Sequence, residues 1–205
     1  VIDRNYPLGK FTSQIIGYTG AISANELEKN SSRCVGKSDS EETMVGRSGI
    51  EAFYDCRLAG VSGELTVEVN TAGRMVRVLG KRESAAGESL NLTIDSEMQR
   101  QITEAMSGYK GAVVVSSPLN GEIYGLGSFP TYDPSWFGLR GRSEDLEKYS
   151  AKIGALFNDP DRPLMNRAIA GAFPPGSIFK LISSLAGLET ASVSKNDYYT
   201  DTGVV

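Results

Sequence analysis

Two prolines and a glycine, Pro174-Pro175-Gly176, stand directly before Ser177 and an apolar run near the end of the chain. Proline fixes φ and has no N–H to give, so Phe173-Pro-Pro-Gly176 must arrive extended and then turn tightly. Beyond the turn, Ile178, Leu181, Ile182, Leu185 and Leu188 recur at i, i+3, i+4, i+7 and i+10. That spacing predicts a helix with one apolar stripe made for burial. Ser177 falls in its first turn, and Lys180, three residues on, shares its face. The N-terminus of such a helix places partial positive charge near any oxyanion formed there.

The chain has 205 residues and no histidine. This removes Ser-His-Asp and Cys-His catalysis and makes a catalytic zinc site improbable. No cofactor or metal is expected. A serine is a weak nucleophile until a base takes its proton. Lysine can be that base once its ammonium is discharged. A free lysine has a pKa of about 10.4, and lowering it by about three units takes about 4 kcal/mol, which burial and positive neighbours supply. A bare Ser-x-x-Lys match is commonly a solvated helix face. Here the Pro-Pro-Gly lead-in, the missing imidazole and the apolar helix together favour a nucleophile and its base.

The length suits one domain or two small ones. A net charge of −4 gives no reason to expect nucleic acid or an anionic membrane as partner. No apolar run in these residues approaches bilayer length, and none of them reads as a signal peptide. The chain opens at Val1, so a piece of a longer protein is expected, and the missing anchor says little about where the parent lives. Cys34 and Cys56 can pair in an oxidising compartment or stand as two free thiols; two cysteines leave both open.

Along the chain, Ser23 and Glu26 form a capping box for a short helix from Ser23 to Lys29, and residues 30–42 read as an exposed loop. Residues Gly49–Leu58 read as one helix with Ile50, Phe53, Tyr54 and Leu58 at helical spacing. Alternation at Leu65, Val67, Val69 and again around Met75 to Leu79, with a turn at Asn70–Gly73, predicts a hairpin. A second unit begins near Gly87. Leu90, Leu92 and Ile94 make a short strand, and Ser96 with Gln99 opens a helix carrying Met98, Ile102, Ala105 and Met106 on one side. Residues 111–115 and 122–128 flank Pro118-Leu-Asn-Gly121 as a further hairpin, and a short helix is expected from Ser143 to Leu156. Gly17, Gly20, Gly46, Gly49 and Gly73 read as turn-formers, and Arg47 and Arg74 as surface or ion-pair residues. Tyr132 and Asp133 read as a loop anchor.

Phe173-Pro-Pro-Gly-Ser-Ile-Phe-Lys180 resembles the active-site serine segment of penicillin-binding proteins, the serine D,D-transpeptidases that crosslink peptidoglycan. Arg4-Asn-Tyr-Pro-Leu-Gly9, Ile16-Gly-Tyr-Thr-Gly20, Gly46-Arg-Ser-Gly-Ile-Glu51 and Val67-Glu-Val-Asn-Thr-Ala-Gly-Arg74 resemble the non-catalytic pedestal of class B members. Leu92-Thr-Ile-Asp95, the hairpin from Gly111 to Ser128, Thr131-Tyr-Asp-Pro134 and Pro163-Leu-Met-Asn-Arg-Ala-Ile169 resemble the start of the transpeptidase domain. The segments come in the family's order, cover nearly the whole chain and look closest to the elongation-type subgroup. The resemblance implies an α+β fold: a mixed α/β pedestal over residues 1–88, incomplete at its N-terminus. The N-terminal part of a transpeptidase domain of the penicillin-binding-protein and serine β-lactamase type follows over 89–205. It implies Ser177 as the acylated nucleophile and Lys180 as its base, with the Ser177 N–H as half of an oxyanion hole. It further implies stem peptides and β-lactams as ligands, and a glycosyltransferase and other elongation proteins as partners through the pedestal. An extracytoplasmic location with an upstream membrane anchor goes with it.

The family also needs Ser-x-Asn and Lys-Thr/Ser-Gly. Neither Lys-Thr-Gly nor Lys-Ser-Gly occurs, and Ser194-Lys-Asn196 lies too close to the nucleophile to be the former. The chain is therefore expected to stop inside its catalytic domain, to leave much of the apolar stripe uncovered, and to be inactive by itself. The competing reading is a β-lactam-sensing or non-catalytic cell-wall interaction module.

Overall fold

Glycines that let backbone segments touch, more than large apolar side chains, decide how the first half of the chain folds. The computed structural model describes residues 4–28, 34, 43–138 and 143–203. The fold mixes helices with antiparallel strands, in two compact units, Val1–Gly171 and Ala172–Val205.

The first unit opens with a 3-10 turn at Gly9–Phe11 and a one-turn helix α1 (Ser13–Ile16). Strand β1 (Thr19–Ala21), helix α2 (Ala24–Glu28) and strand β2 (Met44–Gly46) follow, with Gly20 opposite Val45 in an antiparallel pair. The expected capping box at α2 is present: the Ser23 N–H donates to Glu26 Oε2 at 2.8 Å and the Glu26 N–H donates to Ser23 Oγ at 3.3 Å. The Arg47 guanidinium grips the same Glu26 carboxylate with two bonds of 2.9 Å. Arg47 first, and Ser23 second, hold Glu26 down at a pKa of about 2. The loop expected over 30–42 lies outside the described residues apart from Cys34.

The single helix expected over Gly49–Leu58 is two short ones, α3 (Gly49–Phe53) and α4 (Asp55–Leu58), broken at Tyr54 with φ −108° and ψ 22°. Its expected apolar face is also turned: Phe53 is 81% exposed, while Glu51 and Asp55 are buried. The reason is polar. Asp55 Oδ1 accepts the Gly46 N–H at 2.9 Å, and Glu51 Oε2 pairs with Arg4 Nη2 at 3.1 Å. Burial pushes the Glu51 carboxyl up, and Arg4 opposes the shift. Gly46 is not a turn-former. It sits in β2 with α3 packed on its backbone, so that a Cβ there would lie 1.9 Å from the Glu51 carbonyl oxygen. Gly17 does turn, at φ +77°, and a Cβ on it would meet the Ser48 carbonyl at 2.0 Å. Cys34 and Cys56 form a disulfide with Cα atoms 5.0 Å apart, settling the choice that the sequence left open.

The hairpin of β3 (Glu64–Val69) and β4 (Met75–Arg82) forms as expected, with Val67 opposite Val78. Asn70 closes its turn by accepting the N–H groups of Ala72 and Arg74 on its side chain, each at 3.0 Å. The strand expected at Leu90–Ile94 is absent. That segment runs beside Ile123 and Tyr124 with one backbone bond, Asp95 N–H to Tyr124 O, and one from the Thr93 hydroxyl to Ile123 O, too few for a ladder.

Helix α5 (Ser96–Ala105) is capped by Asp95 and not by Ser96: Asp95 Oδ1 accepts the Met98 N–H at 2.7 Å. Gln99, expected to complete the cap, is 2% exposed and turned inward. Its Nε2 donates to the carbonyls of Phe11 and Leu126, both at 2.8 Å, and its Oε1 accepts the Leu126 N–H at 2.9 Å. Strands β5 (Gly111–Ser116) and β6 (Ile123–Phe129) pair antiparallel, with Val114 opposite Leu126, and α5 lies on β6. Tyr132 anchors the next loop as expected. Its hydroxyl donates to Ser13 O at 3.2 Å, and burial pushes its pKa up to about 12. Asp133 caps a 3-10 turn at Pro134–Phe137, where Phe137 stacks on Tyr18 at 3.7 Å. Helix α6 (Ser143–Asn158) packs on that turn, with Lys152 over the Trp136 ring, and the one-turn helix α7 (Arg167–Ala170) ends the unit.

The second unit holds a 3-10 turn at Gly176–Ile178 running into helix α8 (Phe179–Glu189), then a polar loop. Its apolar stripe is uncovered among the described residues: Ile178, Leu181, Ile182, Leu185 and Leu188 are all exposed.

Candidate active site

Ser177 lies in the 3-10 turn and Lys180 in the first turn of α8. Gly176 makes the turn possible by adopting φ +55°, a conformation that costs a side chain dearly. Pro175 precedes it at φ −70°, already helical, and its carbonyl accepts the Ile178 N–H at 3.3 Å. The Ser177 N–H therefore belongs to the start of the helical run, where backbone donors have no partner within the helix. With 3-10 geometry leading into α-helix, residues three apart stack on one side. The turn thus sets Ser177 and Lys180 on one face, and both are exposed. Among the described residues neither side chain makes a hydrogen bond or ion pair.

The chain leaves the first unit through a strap, residues 161–171, whose anchors no sequence pattern announces. Ser128, buried on β6, donates its hydroxyl to Met165 O at 3.0 Å and accepts the Arg167 N–H at 2.9 Å. Asn166 caps α7 through its side-chain oxygen. Gln14, on α1, reaches the same strap by donating to Pro163 O at 2.6 Å. No single local pattern announces such bonds, because each joins residues far apart in the chain. Among the described residues no group of His, Cys, Asp and Glu could hold a metal ion. No helix among them is long and apolar enough to cross a membrane.

One unit thus holds an antiparallel hairpin packed by α5, and the other a serine at a tight turn with a lysine three residues on. Two family models match the chain. The penicillin-binding protein dimerisation domain matches residues 1–92, and the penicillin-binding protein transpeptidase domain matches residues 111–205. The chain belongs to the class B penicillin-binding proteins, as its sequence led us to expect. It is 35% identical to peptidoglycan D,D-transpeptidase MrdA of Haemophilus influenzae over 200 residues, which cover 98% of this chain and 30% of that protein. Pseudomonas aeruginosa PBP2, solved in complex with WCK 5153, superposes with a TM-score of 0.72 at 29% identity, over all of this chain and 40% of that one. Helicobacter pylori PBP2, solved in complex with MreC, gives 0.71 at 26% identity, over 98% of this chain and 36% of that one. The chain thus spans about 30% of the length of the curated relatives it matches.

Proposed function

We propose that the parent protein is an elongation-type D,D-transpeptidase that crosslinks peptidoglycan stem peptides through a serine acyl-enzyme. The observation that carries this is Ser177 and Lys180 at a helix start within the residues that match the transpeptidase model. Lys180 Nζ takes the proton from Ser177 Oγ, and Oγ attacks the carbonyl carbon of the donor's penultimate D-Ala. The tetrahedral oxyanion is held by the Ser177 N–H and by donors from elsewhere in the parent. Collapse breaks the peptide bond, and the terminal D-Ala leaves with the proton on its amine. The amine of a neighbouring stem then takes the acyl group and frees Ser177. β-Lactams acylate the same oxygen and leave slowly.

Residues 1–88 act as a pedestal and 89–205 as the first part of the catalytic domain. That H. pylori PBP2 was solved in complex with MreC supports elongation proteins as partners of the pedestal. In this reading a glycosyltransferase joins them. The Cys34–Cys56 disulfide supports an extracytoplasmic location, with a membrane anchor preceding the pedestal. The 205 residues alone are inactive. Ser177 and Lys180 both stand exposed in this chain, and an acyl-transfer site works by holding its donors in a water-excluded setting.

Intact mass after incubation with benzylpenicillin tests both statements. The full-length parent should gain one adduct that vanishes in Ser177→Ala, and the 205-residue chain should gain none. An unmodified parent would overturn the enzyme reading in favour of a non-catalytic module. An adduct on the short chain would overturn its inactivity.

A further inference from the structure

We propose that Cys56 is a modification site, the sulfur at which an outside thiol enters the Cys34–Cys56 disulfide, and that Asp55 slows the exchange. The two halves of the disulfide are not equivalent. Cys56 lies in α4 and is exposed, whereas Cys34 is only 5% exposed. A thiolate attacks one sulfur of a disulfide and expels the other. Access therefore favours attack at Cys56 Sγ, which makes Cys34 the leaving group. Both cysteines belong to the dimerisation-matched residues and to the first unit, so the inference stands apart from the chemistry of Ser177.

Asp55 decides how readily that group leaves. Its Oδ2 stands 3.9 Å from Cys34 Sγ, while its Oδ1 accepts the Gly46 N–H at 2.9 Å. Gly46 is itself pressed against the backbone of α3, so the bond to it orients a buried carboxylate beside the sulfur. A thiolate formed at Cys34 faces a like charge with little water between, which raises its pKa and makes it a poor leaving group. The step is an exchange and consumes no oxidant. The thiolate of a small monothiol such as glutathione bonds to Cys56 Sγ, and the Cys34–Cys56 bond breaks. Its electron pair stays on Cys34 Sγ, which then takes from solvent the proton that the monothiol gave up. The product is a mixed disulfide on exposed Cys56 and a buried thiol at Cys34.

The test incubates the folded full-length parent with reduced glutathione, stops early aliquots with N-ethylmaleimide and maps the peptides by mass. Glutathione should sit on Cys56 and maleimide on Cys34. Glutathione on Cys34, or shared between the two cysteines, overturns the proposal, and so does a disulfide that exchanges only in urea. Asp55→Asn keeps the size of the side chain and removes its charge. It should speed the first exchange about 10-fold, with glutathione still on Cys56. An unchanged rate overturns the role of Asp55. A faster exchange spread over both cysteines overturns it too, since it reports a loosened fold and not a missing charge. Should Asp55→Asn not fold, Asp55→Ser, which keeps an acceptor and removes the charge, is read in the same way.

Discussion

The segment from Gly9 to Gly17 and the helix after Ser177 solve opposite problems. The first is a single turn of 3-10 helix and a single turn of α-helix, too short to stand alone. It is held by polar side chains arriving from far along the sequence: Gln99 to Phe11, Tyr132 to Ser13, Asn166 to Gln14. Helix α8 draws its hydrogen bonds from its own backbone, yet it leaves its apolar stripe exposed among the described residues. Secondary structure can thus be secured without burial, and burial can be secured without strong secondary structure. The first unit is built on the second of these principles.

Substitutions that remove one long-range polar contact should then hurt the first unit far more than removing apolar bulk hurts α8. Gln99→Leu keeps the size of the side chain but strands the Leu126 N–H and two carbonyls, and it should cost on the order of 3–5 kcal/mol in urea unfolding. A cost below about 1 kcal/mol would break the comparison. Cys56→Ser opens the loop closed from Cys34 and should cost about 3 kcal/mol, read as a lower Tm that reducing agent no longer changes. Asp95→Ala should cost about 1 kcal/mol, with Ser96→Ala close to neutral, since the cap is Asp95. Equal effects in a pair of thermal melts would restore Ser96 to the role its sequence pattern gave it. Smallest of all, Leu185→Ser in α8 should change the stability of this chain by about 0.5 kcal/mol or less. It should at the same time reduce self-association in sedimentation, because it breaks an exposed apolar stripe.

What was legible in the sequence was what neighbouring residues settle among themselves. Asn70 and Gly73 make a turn wherever they stand between β-prone runs, so the β3–β4 hairpin was readable, as was β5–β6 around Asn120 and Gly121. Ser23 and Glu26 cap each other across a single turn. The candidate site was readable on the same grounds. Ser177 and Lys180 are three residues apart, and Pro174, Pro175 and Gly176 fix the turn before them with their own covalent chemistry. Where the reading failed, a distant group had outbid the local one. The apolar spacing over Ile50 to Leu58 pointed to one helix with a greasy face. The Gly46 N–H and the Arg4 guanidinium instead drew Asp55 and Glu51 inward and left Phe53 in solvent. Leu90 to Ile94 had the alternation of a strand and lacked a partner that could ladder with it. Gln99 fitted a cap by spacing and was claimed by two carbonyls across the fold.

The sequence by itself therefore determined the turns, the helix at Ser177, the spacing of Ser177 and Lys180 and the family, because backbone sterics and i, i+3 geometry act over a few residues. Only the tertiary structure decided which polar groups went inside. It also paired Cys34 with Cys56 and gave Gln14 a hold on the strap of residues 161–171. The physical reason is that a buried donor or acceptor must find a partner wherever the fold brings one within about 3 Å, and no local pattern says where that is.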